Sequence, residues 1–179
     1  MTRSVLLLRG INVGRAHRIA MADLRALLQA EGHGQVQTLL QSGNVVLTSD
    51  TTGAKLEREL EEAIAAELGV QPRVVVRTVD ELAAVVERDP FGDVADQPKL
   101  YQVSFLSEEL APAAAKELEA ADVAPERVAV HGREIYAWHP NGVQRSPLAA
   151  LLTDKKLGVA ATARNWNTVT KLLELAREA

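Results

Sequence analysis

Apolar positions change their period several times along the chain, and each change marks an element. Residues 3–8 end in Val5-Leu6-Leu7-Leu8, an apolar run without alternation. That pattern predicts a strand covered on both faces. Leu24, Leu27 and Leu28 then sit at helical spacing within residues 21–30, and Gly32 stops them. Val36, Thr38 and Leu40 alternate as a strand. Ser42-Gly43 suits a tight hairpin turn, and residues 44–48 form the returning strand. Leu56, Leu60, Ile64 and Leu68 recur every four residues, predicting a helix over 54–68 closed by Gly69. Residues 73–77, around Val74-Val75-Val76, are the next strand. The order is β-α-β-β-α-β.

The second half repeats it. After a connecting helix over 78–87, Asp89-Pro90-Phe91-Gly92 breaks the pattern. Residues 92–98 are polar and turn-rich. A strand over 100–106 places Tyr101, Val103 and Phe105 on one face. A helix over 108–120 follows, in which Pro112 fits only within a first turn. Strands over 127–130 and 134–138 flank a turn at His131-Gly132. A helix over 148–156, a short strand over 159–163 and a closing helix over 165–178 complete the chain. The fold class predicted is α+β: two tandem ferredoxin-like (βαββαβ, alpha-beta plait) units. Their expected bounds are residues 1–78 and 99–179, with a connecting helix and linker over 79–98. Strands one and two of such a unit run the same way, so the loop after strand one and the hairpin after strand two meet at one sheet end.

Composition narrows the function classes. The chain has 179 residues, 47% hydrophobic and 25% charged, the balance of a globular protein rather than a disordered one. No apolar stretch approaches a membrane span, and the N-terminal apolar run is too short for a secretory signal. A cytoplasmic protein is expected. Cysteine is absent, which excludes disulfides, thiolate metal sites and cysteine nucleophiles. His17, His33, His131 and His139 lack a ligand spacing, so no metal is expected, and no cofactor fingerprint is present. Net charge is −4, unlike a dedicated duplex-binding protein. Residues 1–78 carry nine Arg and Lys against eight Asp and Glu, and the remainder carries eleven against sixteen. The basic bias of the first half gathers in Arg9, Arg15 and Arg18. All six aromatic rings lie beyond residue 90.

Three polar segments carry the candidate chemistry. Arg9-Gly10-Ile11-Asn12-Val13-Gly14 lacks the Gly-Lys-Ser/Thr of a Walker loop and the third glycine of a dinucleotide fingerprint. It reads either as a tight turn or as an anion loop built from Arg9, Arg15 and Arg18 with backbone N–H groups. In Gln41-Ser42-Gly43-Asn44 the turn explains Ser42 and Gly43. The amides of Gln41 and Asn44 could read a base edge or a sugar hydroxyl. In Arg164-Asn165-Trp166-Asn167-Thr168, Asn165 suits a helix N-cap, while Arg164 beside a helix N-terminus could help hold an anion. The glutamates at 57, 59, 61 and 62, with Asp122, Glu126 and Glu134, read as solvated faces. Tyr101, Phe105, Tyr136 and Trp138 occupy the strands on which RNA-recognition modules stack bases; the alternative is that they face the helices as core.

Together with Met21-Ala22-Asp23-Leu24, these segments resemble the bacterial family called domain of unknown function 1697. Arg15 stands where such proteins usually have a second glycine, and Asp89-Pro90-Phe91 where they have Asn-Pro-Phe. The resemblance implies two ferredoxin-like halves and supplies no activity or catalytic residue. The function expected is binding of a small anionic or nucleotide-like ligand by Arg9, Asn12, Gln41, Ser42 and Asn44, with Arg164 and Asn167 as further candidates. RNA or single-strand binding, a metal-independent transferase or hydrolase, and a structural or partner-binding role are the alternatives.

Overall fold

The computed structural model describes residues 1–178. In the first half, β1 (Thr2–Arg9), α1 (Met21–Ala30), β2 (Gly34–Leu39), β3 (Asn44–Ser49), α2 (Gly53–Leu68) and β4 (Arg73–Thr78) follow one another. The strands form one antiparallel sheet in the order β2-β3-β1-β4. α3 (Val79–Arg88) leads on. In the second half, β5 (Tyr101–Leu106), α4 (Pro112–Glu119), β6 (Arg127–His131), β7 (Glu134–Trp138), α5 (Pro147–Leu151), α6 (Asp154–Leu157) and β8 (Ala161–Asn165) build a second sheet, ordered β6-β7-β5-β8. α7 (Trp166–Arg177) closes the chain. Both sheets have the ferredoxin-like order, with the first and third strands of each unit central.

The two compact units are Met1–Ala84 together with the C-terminal residues from Lys171 on, and Val85–Thr170. The chain therefore passes between units inside α3 and inside α7, not at residues 78 and 99. The connecting helix expected at the start of the 79–98 segment is α3.

Each unit fills its helix-facing layer with aliphatic side chains. In the first, Leu6, Leu8, Val45, Leu47, Val74 and Val76 of the sheet meet Leu24 and Leu28 of α1 and Leu56, Leu60 and Ile64 of α2. Period two on the strands and period four on α2 bring these residues together. Val5, Leu7, Val46 and Val75, which alternate with them, are buried as well, as the unbroken apolar run of β1 requires.

In the second unit, Leu106, Ile135 and Ala137 pack with Leu118 and Leu148. The rings alternate with these positions. The register sets Tyr101 against Trp138 and Val103 against Tyr136 on the opposite sheet face, and all four side chains are buried. The rings are core and do not form an open platform: on the sheet face opposite α4 and α5 they meet α3 and α7 instead. Trp166 stacks on Tyr101 with centroids 4.7 Å apart, Phe91 sits 6.1 Å from Tyr101, and Tyr136 Oη donates to Val85 O at 2.8 Å.

Three elements differ locally from the expected bounds. The fourth helix starts at Pro112, not at 108, because proline is tolerated at the first helical position and not in an interior. The helix expected over 148–156 splits into α5 and α6. The last strand lies at Ala161–Asn165, two residues later than expected.

Candidate functional site

The sheet end where β1 stops and β3 begins carries the first two polar segments. β1 and β2 both pair antiparallel to β3, so they run the same way and their ends adjoin. Gly10 turns the chain out at φ +81°. Ile11 and Ile19 are buried in the aliphatic core, and the segment between them stands out as a finger. A bridge between Val13 and Ala16 closes its tip, and Arg18 donates to Gly14 O at 3.2 Å.

Asn12 fastens this finger. Its Nδ2 donates to Ile19 O at 3.0 Å and to Gln41 O at 2.8 Å, and its Oδ1 accepts from Ile19 N–H at 2.8 Å. Asn tolerates the φ of +52° found here. Leu8 N–H adds a bond to Gly43 O at 2.8 Å. The loop and the hairpin are thus neighbours, joined by hydrogen bonds, as the topology requires.

Asn44 plays the matching part in the hairpin. It is buried, and its Nδ2 donates to Leu39 O at 2.8 Å and to Ser42 Oγ at 3.0 Å. The amides of Asn12 and Asn44 are therefore engaged in holding the backbone. What the finger and hairpin present outward is different: Arg9, Arg15, His17, Arg18, Gln41 and Ser42 are all exposed, beside exposed Val13 and Leu40.

The third polar segment belongs to the second unit. Asn165 Oδ1 accepts from Thr168 N–H at 3.0 Å and so caps α7. Asn167 is exposed in the first turn, and its carbonyl accepts from Thr170 Oγ1 at 3.2 Å. Arg164 donates to Thr162 Oγ1 at 2.7 Å and to Ala163 O at 2.9 Å. Burial lowers its guanidinium to a pKa of about 10, which leaves it charged at neutral pH.

One polar cluster was not anticipated. Glu126 and Glu134, read as solvated, are both buried. Glu126 Oε1 accepts from Ser146 Oγ and lies 2.9 Å from His139 Nδ1, while Oε2 accepts from Leu148 N–H at 2.9 Å. Ser146 Oγ also lies 3.0 Å from His139 Nδ1 and caps α5 through Ala149 N–H. Serine, histidine and glutamate suggest a nucleophile, but the geometry opposes it. A catalytic triad places serine and acid on opposite ring nitrogens; here both meet Nδ1, and Nε2 is buried without a partner among the described residues. The cluster fastens the 139–148 segment to Glu126. Positions 126, 139 and 146 follow no helical or strand period; a Ser-Pro pair of the kind that starts helices is the local signal that could have pointed there. Among the described residues no group of three His, Cys, Asp or Glu is placed to hold a metal ion.

The cluster predicts a pH dependence. Burial pushes the Glu126 carboxyl up, but hydrogen bonds from Ser146, His139 and Leu148 N–H together outweigh it and hold the group below its ordinary 4.5. A carboxyl depressed by folding contributes stability that is complete above its unfolded value and disappears as pH falls through the folded one. Urea unfolding of the wild type is therefore expected to weaken more steeply below about pH 4.5 than that of Glu126→Gln. Equal slopes would contradict this account.

The two sheets define an α+β protein of paired ferredoxin-like units, with a clamped basic finger on the first. The chain belongs to the DUF1697 family, described as a protein of unknown function, whose family model matches residues 1–136. Arg164 and Asn167 lie beyond the matched segment. A solved structure of a conserved bacterial protein from Streptococcus pneumoniae superposes with a TM-score of 0.79 at 23% identity, covering 98% of this chain and 99% of the other. No curated protein matches. Among the described residues no helix is long and apolar enough to cross a membrane.

Proposed function

We propose that the finger and hairpin of the first unit bind a small anionic or nucleotide-like ligand in the cytoplasm. The observation that carries this reading is the contrast within the finger. Its base is fixed by two buried isoleucines and the Asn12 amide, yet Arg9, Arg15, His17 and Arg18 are exposed. A preorganised loop loses little entropy on binding, and guanidinium groups match phosphate and carboxylate oxygens with paired hydrogen bonds. Gln41 and Ser42, exposed on the adjoining hairpin, can both donate and accept, which suits a base edge or sugar hydroxyl. Arg164 and Asn167 belong to the second unit, and the reading rests on the residues of the first unit alone. Burial of the aromatic face disfavours the base-stacking alternative.

A thermal-shift screen against inorganic phosphate, pyrophosphate, nucleotides and dicarboxylates tests the reading. A ligand at a hundred times its Kd contributes about 2.7 kcal/mol, a shift of roughly 5–10 °C for a chain of this size. The shift is expected to vanish in Arg9→Ala/Arg15→Ala and to persist in Arg164→Ala. A panel without response, or a response untouched by the double variant, would sink the proposal.

A further inference from the structure

The second unit holds a cavity of about 380 Å³ beside the Glu126 cluster, a volume within the range of small-molecule sites. One wall is the chain before β6, at Val123, Ala124, Pro125 and Glu126. The other runs from the end of β7 into α5, at Asn141, Gln144, Arg145 and Pro147 among others. Glu126 joins the two walls through Ser146 Oγ, His139 Nδ1 and Leu148 N–H. The cavity is therefore framed before anything enters it, and a framed site loses little entropy on binding.

The frame and the lip use different groups. Glu126 and Ser146 are buried, and their hydrogen bonds go to each other, to His139 and to the start of α5. Asn141, Gln144 and Arg145 are exposed, and among the described residues none of their side chains makes a hydrogen bond or ion pair. Asn12 and Asn44 of the first unit spend the same amide chemistry on backbone carbonyls. Arg145 also sits at φ +63°, a left-handed backbone that glycine adopts without strain and larger residues do not. The turn alone gives no reason for an arginine there. Ala124, Pro125 and Pro147, exposed as well, give the same cavity its apolar surface.

We infer that this cavity binds a small polyhydroxy acid, a carboxylate or phosphate on a hydroxylated carbon chain or ring, with its anionic group on Arg145. A guanidinium meets the oxygens of either anion through two parallel hydrogen bonds. Side-chain amides both donate and accept, so Asn141 and Gln144 suit hydroxyl groups, which do the same. Ala124 and the two prolines suit the C–H surface of the ligand's carbon skeleton. The charge on Glu126 sets the orientation. It repels an oxyanion and attracts hydroxyl donors, so the anionic group belongs at Arg145 and the hydroxylated body towards Glu126. Every residue of this site lies in the second unit, so it is independent of the reading given to the finger.

Isothermal titration calorimetry with glycerol phosphate and glucuronate, set against glycerol, glucose and inorganic phosphate, tests this. At least one of the two acids is expected to bind, and which one tells phosphate from carboxylate. The three controls each offer half of the contacts and should bind at least about tenfold more weakly. Arg145→Gly removes the guanidinium and relaxes the backbone. It should weaken binding about 10- to 100-fold, the loss of a charge-assisted hydrogen bond, without lowering Tm. Asn141→Ala should weaken binding about 2- to 10-fold, and Arg9→Ala/Arg15→Ala should bind as the wild type does. No binding of either acid at millimolar concentration overturns the inference. So does binding that Arg145→Gly leaves unchanged, or inorganic phosphate binding as tightly as the acids. Binding lost in Arg9→Ala/Arg15→Ala but kept in Arg145→Gly overturns it too, and assigns the response to the finger. Should Arg145→Gly fail to fold, Arg145→Lys decides, since it keeps the charge and loses the paired hydrogen bonds. A weakening of about tenfold then supports the inference, and unchanged affinity overturns it.

Discussion

Replacing Glu126 with alanine is expected to destabilise the second unit by about 3–5 kcal/mol, the range found when one partner of a buried charged cluster is removed. The argument rests on what is left behind. Glu126 is 8% exposed and His139 fully buried. The carboxylate serves Ser146, His139 and the Leu148 N–H at once. Alanine leaves the Leu148 N–H without its acceptor and takes the carboxylate from Ser146 and His139, which keep only each other and the Ala149 N–H, and an unsatisfied buried donor costs about 1–3 kcal/mol. Leu148 and Ser146 start α5, and Leu148 packs in the second core, so the loss passes directly from a polar knot to aliphatic packing. Glu126→Gln keeps an acceptor for one or two of the donors and is expected to lose less, about 1–2 kcal/mol. Urea denaturation followed by tryptophan fluorescence reads this unit, which holds both Trp138 and Trp166. A loss under about 0.5 kcal/mol for Glu126→Ala, within the range of an ordinary surface change, would show that the cluster does not hold the segment.

Much of the architecture was legible because it rests on periodicity. The four-residue repeat of Leu56, Leu60 and Ile64 and the unbroken apolar run of β1 both describe burial, and burial is what selects strands and helices. The adjacency of the 9–18 loop and the 41–44 hairpin followed from strand direction alone. What was not legible depends on partners distant in sequence. Glu57 and Glu61 look like any solvated helix face until β4 is placed beside α2 and its Val76 and Val74 N–H groups donate to them. Glu126 looks like a loop carboxylate until His139 and Ser146 reach it. The aromatic face turned on which parity of β7 meets α4 and α5: Ile135 and Ala137 took that side, leaving Tyr136 and Trp138 on the face that meets α3 and α7. Asn12 and Asn44 show a subtler limit. An amide that could read a ligand can equally clip a backbone carbonyl, and only the hydrogen bonds actually made distinguish the two uses.

Gly43→Ala is expected to lose about 2–5 kcal/mol and to detach the hairpin from the finger. Two effects add at this position. The backbone sits at φ +86°, where an L side chain costs about 1–2 kcal/mol. A Cβ would also lie 2.7 Å from Ile11 Cδ1 and 2.8 Å from Leu8 Cβ, and crowding a packed site costs about 1–3 kcal/mol. Neither neighbour can yield freely, since Leu8 belongs to the central strand and Ile11 is the first anchor of the finger. Relief comes most readily by moving the hairpin outward, which stretches the Leu8–Gly43 and Asn12–Gln41 bonds. Gly14→Ala is the matched control. Its φ is +61°, but an added Cβ meets nothing within 4 Å, so it should lose only the backbone part, about 1–2 kcal/mol. Chemical denaturation of the two variants separates strain from crowding, and limited proteolysis at Arg15 and Arg18 reports whether the finger has come loose. Equal losses for the two glycines would mean that the hairpin does not press on Ile11 and Leu8. The clamp proposed to hold the basic finger in a binding conformation would then lack its physical basis.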